Sequence, residues 1–332
     1  MRLVLSGLGI KNPGEFASLE DIYNKYKDKK SKHTSNLDND MEFIEKNGIK
    51  VIDYFCEDYP KSLKNIEYPP LVLFVLGELK KMELPLSVVG TRYPSGYGQR
   101  VIKYTLPYLV KSGFSIISGM AKGVDALSHK ETLKNNGYTI AVLGTGIDEI
   151  YPKENRSLYE DIKNKGCIIS EFPLHTQPLR QNFPRRNRII AGLSKATLVI
   201  EADIKSGSLI TARLTEEQSK PVFAVPGEIF QKRSKGTNKL ISDGAYIFRD
   251  IDDILSYFYV ELKEELSKMQ KEKPIELNTD EKQIMDILEA DMSIDEISLK
   301  SGLDISKLND ILFDLEMKGV VKRNFSDRYE KV

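Results

Sequence analysis

Cysteine is nearly absent from this sequence. Cys56 and Cys167 are the only two, in separate segments without C-x-x-C spacing and without a histidine at ligand distance in sequence. Neither a disulfide framework nor a zinc site is indicated, and both thiols are expected to be buried. Long apolar runs are missing too: no stretch of eighteen or more apolar residues occurs, so no membrane partner is expected. The start, MRLVLSGLGIKNPGEF, is too weakly apolar and too poor in basic residues for a secretory signal, and the chain reads as cytoplasmic. Common catalytic signatures are also lacking. No G-x-x-x-x-G-K-[ST] is present, the first strand ends in GTRYPSGYG instead of G-x-G-x-x-G, the GTGIDE segment lacks a third glycine, and no Ser or Cys sits in a nucleophile elbow. These absences count against a P-loop NTPase, a standard dinucleotide enzyme and a hydrolase. They leave a binding surface as the expectation, not an enzyme, with no cofactor and no metal.

Net charge is missing as well, since 49 Lys and Arg balance 49 Asp and Glu. Neutrality ordinarily argues against a nucleic-acid partner, but the distribution matters more than the total. Residues 173–239 carry twelve Lys or Arg against five Asp or Glu, whereas residues 276–332 carry eight against fourteen. An anion-binding function therefore belongs in the middle of the chain.

What is present, from about Gly48 on, is a series of β-branched runs alternating with helical stretches: LSVVG, FSIISG, YTIAVLG, GCIISE, ATLVIEA and PVFAVPG. Near-continuous apolar strands separated by helices predict a doubly wound, mostly parallel α/β sheet covered on both faces. The expected division is a small helical region over 1–45, the α/β domain over 46–258, a charged linker over 259–275 and a small domain over 276–332. KYKDKKSKHTSNLDND near the start reads as a solvated loop. The last segment has a helix over 280–288, two short helices joined at Gly302, and two strand-like runs about a turn at Ser326-Asp327, a winged-helix pattern. Its would-be recognition helix carries Asp304, Asp310, Asp314 and Glu316 against Lys307 and Lys318. That charge balance favours a protein contact or a structural role over duplex DNA.

In open parallel sheets, ligands bind beyond the carboxyl ends of the strands. The residues that follow each strand here are Gly90-Thr91-Arg92, Ser118 to Gly123, Gly144-Thr145-Gly146, Glu171, Asp203 to Ser208 and Pro226-Gly227. Glycines that admit a ligand to the backbone, small hydroxyls and cations make this an anion-binding edge. Ser206-Gly207-Ser208 precedes a helix whose free amides suit a phosphate, although N-capping alone accounts for the serines equally well. Arg185, Arg186 and Arg188 follow Pro184, placed at the first helical position. Internal pairing with Glu171 or Glu201 is one explanation for them. Three arginines in one turn exceed what two carboxylates neutralise, which favours an external polyanion. Arg92, Lys153 and Arg180 lie on neighbouring loops and extend the basic surface, unless each is a solvated surface charge. Phe183 is either a stacking platform for a base or a hydrophobic staple. Asp125 and His129 share one side of a helix, where a cap and a buried, hydrogen-bonded histidine are favoured over an acid/base pair.

These residues resemble one family, the DNA-processing proteins called DprA or Smf. The matching segments include VVGTR, SGMAKGVDALSH, AVLGTGIDEIYPKEN, FPRRNRIIAGLS, SGSLITA, VFAVPG and KGTNKLISDGA, and with YPKSLKNIEYPPLVLFVLGEL they cover Tyr59 to Ala245. The resemblance implies an extended Rossmann-like fold, with a small helical domain in front and a winged helix behind. It implies a homodimer that binds single-stranded DNA and loads a RecA-type recombinase onto incoming DNA during natural transformation. Carried over, the DNA-binding residues would be Gly90, Arg92, Ser118, Gly119, Phe183, Arg185, Arg186, Asn187, Arg188, Ser206, Gly207 and Ser208, with Lys153 and Arg180 where the family tends to place basic residues. Leu174-His175 stands where many members have a glycine, so that loop is expected to differ. The alternative is a nucleotide-processing enzyme similar to phosphoribohydrolases. Their PGGxGTxxE glutamate has no counterpart in SGSLITAR, where Ala212 and Arg213 stand near its place.

Overall fold

A computed structural model describes residues 2–6, 10–26, 37–259, 277–288, 291–318, 320–324 and 328–331. The chain divides into two compact units, Met1–Ser256 and Tyr257–Val332. Most of the expected linker over 259–275, the middle of the expected loop over 25–40 and the expected turn at Ser326-Asp327 lie outside the described residues.

The first unit is built on nine strands: β1 (Lys50–Asp53), β2 (Val72–Gly77), β3 (Leu84–Val89), β4 (Phe114–Ser118), β5 (Thr139–Val142), β6 (Cys167–Ser170), β7 (Ala196–Val199), β8 (Val222–Ala224) and β9 (Tyr246–Ile247). Their order in the sheet is β1-β2-β6-β5-β4-β3-β7-β8-β9. The pairs β1·β2 and β2·β6 are antiparallel, and every other pair is parallel. Every residue of β4, β5, β6 and β7 is buried, as central strands covered on both faces require. Strand β2 shows how its side chains divide between the two layers. Leu73 and Val75 join a core with Ile117, Val142, Ile189 and Val199, whereas Val72, Phe74 and Leu76 join a second core with Leu158, Ile162 and the amino-terminal Leu5 and Ile22. That alternation is the period of two that a strand imposes.

The helices are α1 (Arg2–Leu5), α2 (Leu19–Tyr26), α3 (Leu37–Lys46), α4 (Lys61–Lys64), α5 (Gly96–Lys111), α6 (Val124–Lys134), α7 (Arg156–Lys165), α8 (Asn182–Leu193), α9 (Ser208–Glu217), α10 (Lys235–Ser242) and α11 over 251–259. The helical amino-terminal segment thus belongs to the same unit as the sheet, and Arg2 Nε reaches Asp53 at 2.7 Å. Cys167 is buried as expected, but Cys56 is half-buried, its thiol 3.2 Å from the Asp53 carboxylate. His175 has φ +63°, a backbone conformation that favours glycine. Its backbone N–H donates to both Asp148 carboxylate oxygens at 2.9 Å, and its exposed ring lies 2.8 Å from Asp148 and 3.2 Å from Asp40.

The second unit contains α12 (Thr279–Ile287), β10 (Met292–Ser293), α13 (Ile294–Ser301), α14 (Ile305–Met317), β11 (Val321–Arg323) and β12 (Arg328–Lys331), with its three strands ordered β10-β12-β11. Capping boxes at Asn278/Glu281 and Ser293/Glu296 start α12 and α13, and Gly302 ends α13 in the left-handed region. Ile284, Ile297, Leu308, Leu312, Leu315 and Tyr329 form its core. This is the winged-helix arrangement. No helix among the described residues is long and apolar enough to cross a membrane.

Candidate nucleic-acid interface

The chain winds outward from β3 through β4 and β5 to β6, then returns through α8 to place β7 on the other side of β3. The carboxyl ends of β3 and β7 therefore form the switch point of the sheet, where a crevice opens of necessity. Hydrogen bonds hold its walls: Thr91 N–H donates to Glu201 O at 2.7 Å, and Val124 N–H donates to Thr91 O at 3.1 Å. The crevice is a cavity of about 360 Å³. It is walled by Arg92 after β3, by Lys205, Ser206 and Ser208 after β7, and by Arg186 and Asn187 from α8. A second cavity of about 150 Å³, reached by Gly119, Lys122, Gly144 and Tyr151, adjoins it. Arg92, Tyr93, Ala121 and Phe183 line both.

Phe183 therefore divides the groove in two. The Arg92 and Arg186 guanidinium groups each lie 6.0 Å from its ring centre, and Tyr151 lies 5.5 Å away. A Cβ at Gly144 would come within 2.8 Å of the Phe183 ring, so glycine is what lets the aromatic sit there. Phe183 is half-buried with cations beside it, and its contacts are those of a platform in a groove.

The three arginines do not form one cationic face, which corrects the expectation from their spacing. Arg185 and Arg188 both donate to Glu171 Oε2, at 3.0 and 2.6 Å, and Glu171 is 2% exposed. One carboxylate at the end of β6 thus holds two guanidinium groups, and neither of them lines the cavities. Arg186 is buried under the groove, where Nη1 donates to Gly119 O at 2.9 Å and to Val142 O. A Cβ at Gly119 would lie 2.5 Å from this guanidinium and 2.8 Å from Asp125 Oδ2. Asp125 in turn accepts the Gly119 and Ala121 N–H groups, at 3.2 and 3.4 Å. Burial pushes its carboxyl up to about 6 despite the neighbouring Arg186. Burial likewise pushes Arg186 down to about 10, so it stays charged near neutrality. The helix also begins at Asn182, two residues earlier than its proline suggests. Pro184 fits the first turn because amides there have no intrahelical acceptor.

Other expected residues divide between the groove and the scaffold. Gly90, Arg92, Gly119, Asn187, Ser206, Gly207 and Ser208 line the cavities. Asn187 also ties α8 to the start of α9, its Nδ2 donating to Gly207 O at 3.3 Å. Ser206 and Ser208 share a hydrogen bond of 2.7 Å. Ser118 is not a wall residue: it is fully buried and its hydroxyl donates to Val88 O at 2.7 Å, bracing β4 to β3. Lys153 and Arg180 are exposed but line neither cavity. His129 is scaffold as well. Thr139 Oγ1 gives its proton to Ile116 O, so His129 Nδ1, 2.7 Å away, is the donor to it. Burial pushes that imidazole down to about 3. Among the polar and aromatic lining residues, those that the sequence did not single out are Tyr93, Tyr151 and Thr211. Tyr93 and Tyr151 stand on exposed loops without a local pattern to mark them, and Thr211 lies one turn into α9.

On the winged-helix unit the charge is reversed. The cations in and just after α14 are both paired, Lys307 with Asp280 at 2.7 Å on the surface and Lys318 with the buried Glu281 at 2.5 Å. Its outer face keeps Asp310 and an exposed Phe313.

Residues 50–259 match the family described as DNA recombination-mediator protein A, and residues 269–324 match the DprA winged helix domain. The chain is 45% identical over 226 residues to Protein Smf of Synechocystis, covering 66% of this chain and 57% of that protein's length. It is 40% identical to DNA processing protein DprA of Bacillus subtilis, covering 62% of this chain and 70% of that one. Among solved structures, DprA of Streptococcus pneumoniae superposes with TM-score 0.61 at 37% identity, covering 65% of this chain and 77% of that one. DprA of Helicobacter pylori, whose structure concerns its single-stranded DNA binding mode, gives 0.59 at 30% identity, covering 64% and 96%. With a switch-point groove over the matched region and a winged helix behind it, the chain belongs to the DNA recombination-mediator protein A family.

Proposed function

We propose that this protein binds single-stranded DNA and acts as a DNA-processing protein in transformation, not as an enzyme. The observation that carries this is the groove at the β3/β7 switch point. Exposed Arg92 and Lys205, the start of α9, a charged Arg186 below and an aromatic at the divide are arranged along one edge. Cations suit phosphates, and Phe183 suits an unpaired base. The first amides of α9 are not free, since Ser208 N–H donates to Ser206 Oγ, Leu209 N–H to Ser206 O and Ile210 N–H to Gly207 O. The names of the relatives point the same way. The two cavity carboxylates are committed: Asp125 to backbone amides, and Asp203 to Ile204 N–H at 2.8 Å and Lys232 at 3.4 Å.

The finer reading is a cytoplasmic mediator that protects incoming strands and loads a RecA-type recombinase. It acts as a homodimer. The sheet ends at β9, whose Tyr246 and Ile247 are 52% and 41% exposed, and Phe230 after β8 is 91% exposed. A partly exposed apolar strand at the edge of a sheet is a pairing surface. A chain truncated after Tyr259 should keep the mass of a dimer, and Phe230→Asp should make it a monomer; a strict monomer before that substitution removes the edge from the account.

Titration with single- and double-stranded oligonucleotides of equal length at several salt concentrations tests the central reading. Single strands should bind more tightly, with log K falling against log salt by about 0.7 per phosphate neutralised. Salt-insensitive binding, or equal affinity for duplex, contradicts it.

A further inference from the structure

We infer that the outer face of α5 continues the single-strand track beyond the switch-point groove, through an exposed ladder of tyrosines interleaved with cations. The inference rests on the reading of that groove as the single-strand site and adds a second stretch to it. The sequence of α5 is GYGQRVIKYTLPYLVK, which contains Arg100, Lys103 and Lys111 and no acidic residue. At 3.6 residues per turn, Tyr97, Arg100, Tyr104, Tyr108 and Lys111 fall within about 80° of the helix circumference. The tyrosines are 40%, 53% and 55% exposed in chain order, although an aromatic face on a helix is ordinarily buried. Tyr104 and Tyr108 lie ring to ring at 5.8 Å, and Asp250 holds the Tyr104 hydroxyl at 3.2 Å. Both rings are therefore braced in place while their faces meet water.

The chain leads directly from the groove into the ladder. Tyr93, 70% exposed, lines both cavities and stands two residues before the Ser95 cap of α5. A third cavity of about 600 Å³ lies at the start of the helix, lined by Tyr97, Arg100 and Arg233 and also by Glu201 and Glu228. From there Lys103, Tyr104, Tyr108 and Lys111 lead along the helix, and all four are exposed. A seam for another protein helix would repeat apolar residues alone at such positions. Here two of the five are cations. Alternating aromatic faces and positive charge, opening from an anion-binding groove, match an unpaired strand, whose bases offer π-faces and whose phosphates seek cations.

Two oligothymidylates separate groove from helix: one of about six nucleotides, and one of about twenty-five, longer than the 4–16 nucleotides such a site takes. Measured on the full chain, Tyr104→Ala/Tyr108→Ala should weaken the long oligonucleotide by about tenfold or more and leave the short one unchanged. Arg100→Ala/Lys111→Ala should reduce the salt slope for the long oligonucleotide by about 1.4, from 0.7 per cation. Tyr104→Phe keeps the ring but loses the Asp250 brace, and should bind the long oligonucleotide more tightly than Tyr104→Ala. If the short oligonucleotide binds and the long one is indifferent to both double substitutions, the track is overturned while the groove stands. A change of oligomeric mass without loss of long-strand affinity overturns it as well, in favour of a protein seam. If neither oligonucleotide binds the unsubstituted chain, the groove reading fails and the track falls with it.

Discussion

Helices α8 and α14 both present themselves in the sequence as DNA-facing elements, one for its arginines and the other for its place in a winged helix. In both, cations are paired within the fold: the buried Glu171 takes Arg185 and Arg188, the buried Glu281 takes Lys318, and Asp280 takes Lys307 on the surface. The difference lies in what remains. Around α8 a surplus of positive charge survives, in the buried Arg186 and in Arg92 and Lys205 on adjoining loops. On α14 the remainder is acidic and apolar. A field at a surface is set by the partners that the topology brings to each side chain, and the charge written along one helix is only half of that sum.

The largest expected effect comes from cutting the buried half of the comparison. Arg186→Ala leaves Asp125 buried without its counter-charge and two backbone carbonyls without a donor, and should cost about 3–5 kcal/mol of folding stability. Adding Asp125→Asn should recover part of it. Thermal unfolding of the three chains decides the point; an unchanged Tm for Arg186→Ala would show that the guanidinium is not built into the floor. A smaller effect is expected at the divide of the groove. Phe183→Ala should weaken single-strand binding by about 1–3 kcal/mol, with duplex binding unaffected. Equal loss on both substrates would make Phe183 a packing residue alone.

The smallest effect is on pH. Burial raises the Asp125 carboxyl to about 6, so between its unfolded value of 3.8 and 6 the folded state holds more protons than the unfolded one. Its contribution favours folding at the acid end of that window and is lost as pH rises through 6. In the groove the same protonation removes a negative charge beside the phosphates. Affinity for single strands should rise by a few-fold from pH 7.5 to 5.5 and stay flatter in Asp125→Asn. Matching pH profiles for the two chains would take Asp125 out of the electrostatics.

The sheet was legible because parallel central strands are buried on both faces and so read as near-continuous apolar runs. LSVVG, FSIISG, YTIAVLG, GCIISE, ATLVIEA and PVFAVPG do so, broken only by small hydroxyls and by a glutamate at or near the end. The ends of those strands then named most of the groove, including Gly90, Arg92, Lys205 and Ser206 to Ser208. The fate of the arginines was not legible. Glu171 follows β6 and the arginines follow a loop, and whether they meet depends on the angle at which α8 crosses the sheet. Ser118 misled for a related reason: a serine at a strand end points into a crevice or across to the next strand, and here the Val88 carbonyl decided it. His175 holds a backbone conformation that glycine adopts without cost, and nothing in the local sequence marks it; Asp148 and Asp40 meet it only in the fold.

The measurement that bears most directly on the groove is the salt dependence of single-strand affinity for the unsubstituted chain, for Arg92→Ala/Lys205→Ala and for Arg185→Ala. Exposed Arg92 and Lys205 should account for about 1.4 units of slope and at least about tenfold in affinity, whereas Arg185, held by Glu171, should change the slope by less than about 0.7. A slope unmoved by Arg92→Ala/Lys205→Ala but reduced by Arg185→Ala would place the bound strand on the arginine turn and contradict the switch-point groove.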